Sequence, residues 1–259
     1  MLKGLYTAYT GMINEQHRMD TLTNNLANAS TVGYKKEGAT SQAFADLLAV
    51  KIKDASVGIR TVQPLGYNNP GVKIGENYTD FSQGSYRITD NTYDLALSGR
   101  GFFTIEFTNK AGVTSTMYTR AGQFTLTREG FLVTADGDYV LDTNNRRIQL
   151  DTLADSRINE DGTIIQNGRT VATIQITDFE DYNYLEKYAE TYYRPVEGAV
   201  FTPADAVVNS GYLEMANVQI VSEMVNLISI TRAYESNQKL IQTYDSSLEI
   251  AVSQLGRVQ

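Results

Sequence analysis

Cysteine and tryptophan are absent from this 259-residue chain, histidine occurs once and proline four times. Without cysteine there is no disulfide, no zinc–thiolate centre and no cysteine nucleophile, and thiol pairing carries no sign of compartment. The single histidine, His17, removes most histidine-based catalytic arrangements and any multi-histidine metal site. It lies off the heptad row described below and reads as a solvated helix residue. Basic charge is also scarce. Lys and Arg total 22 against 30 for Asp and Glu, a formal charge of -8 that argues against an electrostatic nucleic-acid binder. The acidity is spread out: residues 1–30 are neutral, 31–210 carry -6 and 211–259 carry -2. No run of about 18 apolar residues suggests a membrane span. Polar residues interrupt the first twenty positions every few steps, so these offer no continuous apolar core of a secretory signal.

What is present is enough apolar material, 42% of residues, to bury a sizeable core in one or two domains. Leu2, Leu5, Tyr9, Met12, Gln16, Met19, Thr23 and Leu26 step alternately by three and four, the pattern of a coiled-coil seam. Gly11 is a mild weakness within it, and turn formers from Asn28 to Gly33 end it. The pattern returns at the other end through Leu213, Ala216, Ile220, Glu223, Leu227, Ile230, Tyr234, Asn237, Ile241, Tyr244, Leu248, Ala251, Leu255 and Val258. No glycine or proline lies between Gly211 and Gly256, so this helix is expected to run for roughly 65 to 70 Å. Val218, Val221, Val225 and Ile228 add a second apolar row beside its first half, which is expected to meet more than one neighbour. The polar breaks at Gln16, Thr23, Glu223 and Asn237 are suited to setting register between partners.

Between the helices, residues 41–52 read as one short helix and Val57 to Gly75 as a connector. The period then changes to two. Phe103, Ile105 and Phe107 share a strand face, as do Phe124 with Leu126 and Tyr139 with Leu141. Turn signals fall at Glu129-Gly130, Asp136-Gly137, Asp161-Gly162 and Asn167-Gly168. The last is a hairpin signal between Ile164-Ile165 and Ile174-Ile176. The fold class is therefore α+β: paired long coiled-coil-like helices from the two termini form a discontinuous domain, with a mainly antiparallel β domain inserted. Residues 1–35 and 211–259 form the helical part, 36–75 the connector with its short helix, and 76–210 the β-rich part.

Motif tests for chemistry find nothing. Asp136, Asp138 and Asp142 lack the ligand spacing and closing Glu of a calcium loop, and hairpin-turn acids are the better reading. Ser98-Gly99-Arg100-Gly101 is followed by no phosphate-loop lysine or dinucleotide fingerprint, so tight turning or close packing accounts for it. No spacing selects a pair of glycosidase carboxylates. Tyr182, Tyr184, Tyr188, Tyr192 and Tyr193, within a tyrosine-rich segment over 179–193, form an aromatic partner surface or pack at a domain edge. No catalytic residue, cofactor or metal is expected.

Four stretches together resemble the bacterial flagellar rod and hook family of axial proteins: NNLANASTVGYKK from Asn24, DLALSGRGFF from Asp94, YTRAGQFTLTREGFLVTADG from Tyr118, and GYLEMANVQIVSEMVNLISITRAYESNQKLIQTYD from Gly211. The resemblance implies a structural subunit of the flagellar basal body, closest in length to the larger, distal-type rod proteins, with proximal rod or hook as the alternative. It further implies export through the flagellar apparatus without a cleaved signal, and terminal helices that form the inner layer of a tube beneath an outer β domain. Homo-oligomers and the adjacent rod and hook proteins are the partners it implies, with neither nucleic acid nor membrane insertion. Tyr34, where phenylalanine is common, Ala216, where serine is common, and the tyrosine-rich segment 179–193 depart from the family pattern. From other classes, a secreted β-rich wall hydrolase or an adhesin is the competing reading.

Overall fold

The computed structural model describes residues 2–52, 62–110 and 112–255. The start of the expected connector, residues 57–61, and Val258 lie outside these residues, as do the side chains of Leu2 and Leu255. The class is α+β. The chain forms two compact units. One comprises Met1–Leu26, Glu37–Asp80 and Ile220–Gln259, the other Ala27–Lys36 and Phe81–Gln219.

The helical unit holds α1 (Leu2–Ala27), α2 (Ile220–Leu255) and the strands β1 (Glu37–Ala43), β2 (Leu47–Ile52), β3 (Val62–Asn68) and β4 (Val72–Thr79). All pairing is antiparallel, β1 with β4 and β2 with β3. The short helix expected over 41–52 is corrected by this pairing. The stretch has helix-forming composition, yet its backbone is taken up by strand ladders on both sides of Phe44, and tertiary pairing outweighs propensity. The expected connector is likewise ordered as β3 and β4.

The β unit contains β5 (Tyr86–Ile88), β6 (Leu95–Gly99), β7 (Phe102–Thr108), β8 (Thr114–Thr119), β9 (Phe124–Leu126), β10 (Leu132–Thr134) and β11 (Tyr139–Val140). There follow β12 (Ser156–Ile158), β13 (Thr163–Gln166), β14 (Arg169–Thr173), β15 (Ile176–Phe179), β16 (Leu185–Lys187), β17 (Tyr192–Pro195), β18 (Phe201–Pro203), β19 (Ala206–Ser210) and β20 (Tyr212–Glu214). The main sheet runs β16-β17-β8-β7-β11-β10-β9, with β15 bridging β7 to β18. Strand β7 is its centre because its alternation is apolar on both faces. Phe103 and Ile105 enter one core with Leu95, Phe124, Leu132, Val140 and Ile164, while Phe102 enters an aromatic core with Tyr118, Phe179 and Tyr193. The hairpin read at Asn167-Gly168 joins β13 to β14, with φ of 51° and 75°, the doubly left-handed turn that these two residue types tolerate, but its second arm is Arg169–Thr173 and not Ile174–Ile176, since Ile176 opens β15.

A buried ion cluster ties the β unit together. Glu214, Lys35 and Arg120 are 0%, 1% and 4% exposed. Lys35 Nζ donates to Glu214 Oε1 at 2.6 Å and Arg120 Nη1 to Glu214 Oε2 at 3.3 Å. The cations are held further by backbone, Lys35 on the Ser82 carbonyl at 2.7 Å and Arg120 on the Gly99 carbonyl at 2.7 Å. The Gly84 amide completes the carboxylate's shell at 3.0 Å. Arg120 also lies over the Phe102 ring, 5.4 Å from its centroid. Removing the anion would leave two buried cations without it, a loss that typically costs about 3–5 kcal/mol. Glu214→Ala should therefore lower the urea stability of the β unit by that order, read from the tyrosine near-ultraviolet dichroism of the full chain. A change under about 1 kcal/mol, the scale of an exposed pair, would show the cluster to be dispensable.

Candidate functional site

In the helical unit α1 is covered on two sides by different chemistry. Gly4 lies against the Tyr244 ring, and a Cβ on Gly11 would stand 3.1 Å from Asn237 Nδ2. These glycines, with Ala8 buried between them, let α2 approach the α1 backbone closely. Gly11, a weakness in helix propensity, is thus a contact point. A second side is polar. Thr7 Oγ1 donates to the Pro70 carbonyl at 3.2 Å, Asn14 Nδ2 to Ser41 Oγ at 2.9 Å, and His17 Nε2 lies 3.0 Å from Asn77 Oδ1. Asn25 exchanges two hydrogen bonds with the Glu37 backbone, at 2.7 and 2.9 Å. His17 is therefore half-buried against β4, not solvated. This polar row was visible as a three–four spacing of Thr7, Thr10, Asn14 and His17. Nothing in the sequence paired it with a strand.

The residues of the expected seam divide. On α2, Leu227, Ile230, Tyr234, Asn237, Ile241, Tyr244 and Leu248 are all buried or half-buried, and with Glu223 and Ala251 they trace one covered face. On α1, Leu5, Met12, Met19 and Leu26 are half-buried, but Tyr9, Gln16 and Thr23 are exposed, because the small residues Gly4, Ala8 and Gly11 draw the contact to one side of the predicted line. Thr23 bonds its own helix, donating to the Met19 carbonyl at 2.8 Å. Three positions need correction. Ala216 is buried but precedes α2. Leu213 is not helical: it sits in β20, paired with β5 and 1% exposed, because the neighbouring Glu214 is anchored in the ion cluster. Ile220 starts α2 but is 49% exposed and off the covered face. The helix has 36 residues, or about 54 Å, shorter than the sequence suggested. The second row stays open at Val221, Val225 and Ile228, all exposed, whereas its expected first member, Val218, precedes α2 and is half-buried.

In the β unit a cleft of about 740 Å³ is lined by Phe107, Lys110, Asp136, Asp138, Tyr188 and Tyr192, among others. Tyr192 donates to Asp136 Oδ2 at 2.9 Å, with Thr134 Oγ1 at 3.1 Å. Asp142 accepts from the Thr173 amide at 3.0 Å, so these acids hold turns and strands in place. Burial raises the Asp138 carboxyl, against the lowering effect of its bond with Tyr192. The cleft pairs no nucleophile with a base, and among the described residues no cluster of metal ligands forms. The tyrosine-rich segment splits: Tyr182 and Tyr193 pack on Phe81 and Phe102, whereas Tyr184 and Tyr188 are about half exposed. Glu214, Lys35 and Arg120 were missed as a group, although all lie in the four quoted stretches, and Gly99 supplies the fourth.

Three family models match the chain: a flagellar basal-body rod protein segment over residues 5–35, the D1 domain of the FlgE/F/G hook proteins over 96–166, and the C-terminal region of the FlgEFG rod proteins over 209–255. The flagellar basal-body rod protein FlgG of Bacillus subtilis (strain 168) is 34% identical, over 98% of this chain and 99% of its own. The chain belongs to the flagellar rod and hook protein family. The rod protein FlgF of Caulobacter vibrioides is 32% identical over the whole of both chains, and the hook-basal body complex protein FlhO of Bacillus subtilis 31%. A rod-family protein is structural, not enzymatic, and its place is the flagellar basal body. Among the described residues no helix is long and apolar enough to cross a membrane.

Two outcomes follow for this rod-family chain. Gly11→Leu forces a side chain into the space of Asn237 and should destabilise the helical unit by about 1–3 kcal/mol, the usual cost of overpacking. Thermal melts followed by helical dichroism would register it. The second concerns alkali. Burial raises the Tyr192 phenol far above its ordinary range, and Tyr118 and Tyr182 are raised by burial too. A raised folded value favours the neutral form, so this stability is complete below about pH 10, the unfolded value, and is lost as pH climbs past it. Each pH unit above that point should remove up to about 1.4 kcal/mol through Tyr192, and Tyr192→Phe should flatten the slope in urea titrations.

Proposed function

We propose that the chain is a self-assembling subunit of the distal rod, added copy by copy through heterologous contacts that do not close into a ring and so grow a helical tube. The tube carries motor torque to the hook, with other rod and hook proteins adjoining it. The subunit reaches this place through the flagellar export apparatus. Its helical unit supplies the axial layer and its β unit the outer one.

The observation that carries this reading is that both helices keep apolar rows uncovered by their own chain, Val221, Val225 and Ile228 on α2 with Tyr6, Tyr9 and Ile13 on α1. A polypeptide that functions alone gains nothing from such rows, and they mark interaction surfaces. Length supports the distal position. Because FlgG and FlgF relatives both match end to end, proximal rod or hook is the second reading.

Deleting residues 1–26 should leave the strands of the β unit folded by circular dichroism and abolish incorporation into isolated hook-basal bodies. Normal incorporation of this truncation would reject helix-driven assembly. Labelled imaging of the intact protein in the same particles reads out its position along the rod.

A further inference from the structure

The exposed rows of the two helices match each other. On α1, Tyr6, Tyr9 and Ile13 are 49%, 49% and 36% exposed and step by three and four. On α2, Val221, Val225 and Ile228 are 77%, 58% and 53% exposed and step by four and three, flanked by exposed Ile220 and Met224. Taken in opposite directions the spacings coincide, Ile13 to Val221, Tyr9 to Val225 and Tyr6 to Ile228. The only charged residue within either stretch is Glu223, itself 1% exposed, so joining the rows strips no exposed ion of water.

Within one chain the rows do not meet. The helices run antiparallel, with Gly4 beside Tyr244 and Gly11 beside Asn237. That register sets Val225 level with Thr23, fourteen residues from Tyr9. At 1.5 Å per residue the rows stand about 21 Å apart along the helix pair.

We infer that the α2 row of one copy docks on the α1 row of a second copy, displaced by about 21 Å, two heptads, along the helix axis. The inference rests on the rod reading above and gives it a surface and a stagger. A second copy is the occupant because the two matching halves of the contact are carried by the same chain. Different patches meet, so the contact is heterologous, and the axial step prevents closure: each copy presents its α2 row to one neighbour and its α1 row to another. The side chains of the two rows and their flanks bury at most on the order of 800 Å², below the roughly 1,200 Å² at which stable specific interfaces begin. One contact therefore holds no lasting dimer. The isolated chain stays monomeric, and copies are retained only where several contacts act together in a growing polymer.

The absence of native cysteine makes the test direct. Full-length Tyr9→Cys/Val225→Cys protein, produced in its own bacterium, should yield covalent dimers and longer ladders when isolated hook-basal bodies are oxidised or treated with a short bismaleimide. Thr23→Cys/Val225→Cys, which pairs positions level within one chain, should yield no ladder. The reverse pattern, or no ladder from either pair in particles that contain the protein, overturns the stagger and leaves the rod reading standing. Absence of the wild-type chain from such particles overturns the rod reading and the stagger with it. Because Val225 is exposed, Val225→Asp should keep the native dichroism yet lose incorporation, and normal incorporation would count against the docking. A stable dimer of the purified wild-type chain in sedimentation would likewise refute the cooperative scheme.

Discussion

One carboxylate with two cations organises the β unit. Glu214 lies six residues before α2, Lys35 eight residues after α1, and Arg120 at the end of β8, so a single buried group joins three distant parts of the chain. Two further hydrogen bonds run beside it, Gly33 N to the Glu214 carbonyl at 2.7 Å and Lys36 N to the Asn217 side-chain Oδ1 at 2.7 Å. Together they hold the segment following α1 and the segment preceding α2 side by side within the β unit. Charges this deep persist only when every partner is present, because an ion left alone in a low-dielectric interior is costly. That demand explains why the four stretches that resemble the axial family converge on one place: Lys35, Gly99, Arg120 and Glu214 come from one stretch each.

The helical unit is built on a different principle. Its α1 turns Leu5, Met12, Met19 and Leu26 only half inward. One side meets α2 at Gly4 and Gly11, where packing is close. Another meets the β1–β4 pair through asparagine and histidine hydrogen bonds and the turn before β4 through Thr7, bonds individually worth about 1 kcal/mol. Other apolar residues are kept on the outside, at Tyr6, Tyr9 and Ile13 and along the first half of α2. Exposed apolar rows of this kind mark interaction surfaces.

Much of this was legible along the chain. The seam on α2 from Leu227 to Leu248 is the covered face of the helix, and the Asn167-Gly168 turn lies where its dipeptide demanded, since only a few residue types accept two successive left-handed conformations. Period-two alternation located β7 and β9. The failures share a cause. Residues 41–52 have helical composition but pair as strands, and Leu213 carries heptad phase but belongs to β20. In each case a partner remote in sequence took the backbone, and local pattern carries no trace of a remote partner.

The sequence by itself determined the class of fold, the two long terminal helices, the hairpin turns and the lack of catalytic or metal chemistry in its motifs, because periodicity, turn dihedrals and residue inventory are local properties. Only the tertiary structure decided which face of α1 is glycine contact, which is hydrogen-bonded to strands and which is left open. It also decided that Lys35, Arg120 and Glu214 form one buried cluster. Both depend on distances between residues far apart in the chain, and such distances come into being only when the chain folds.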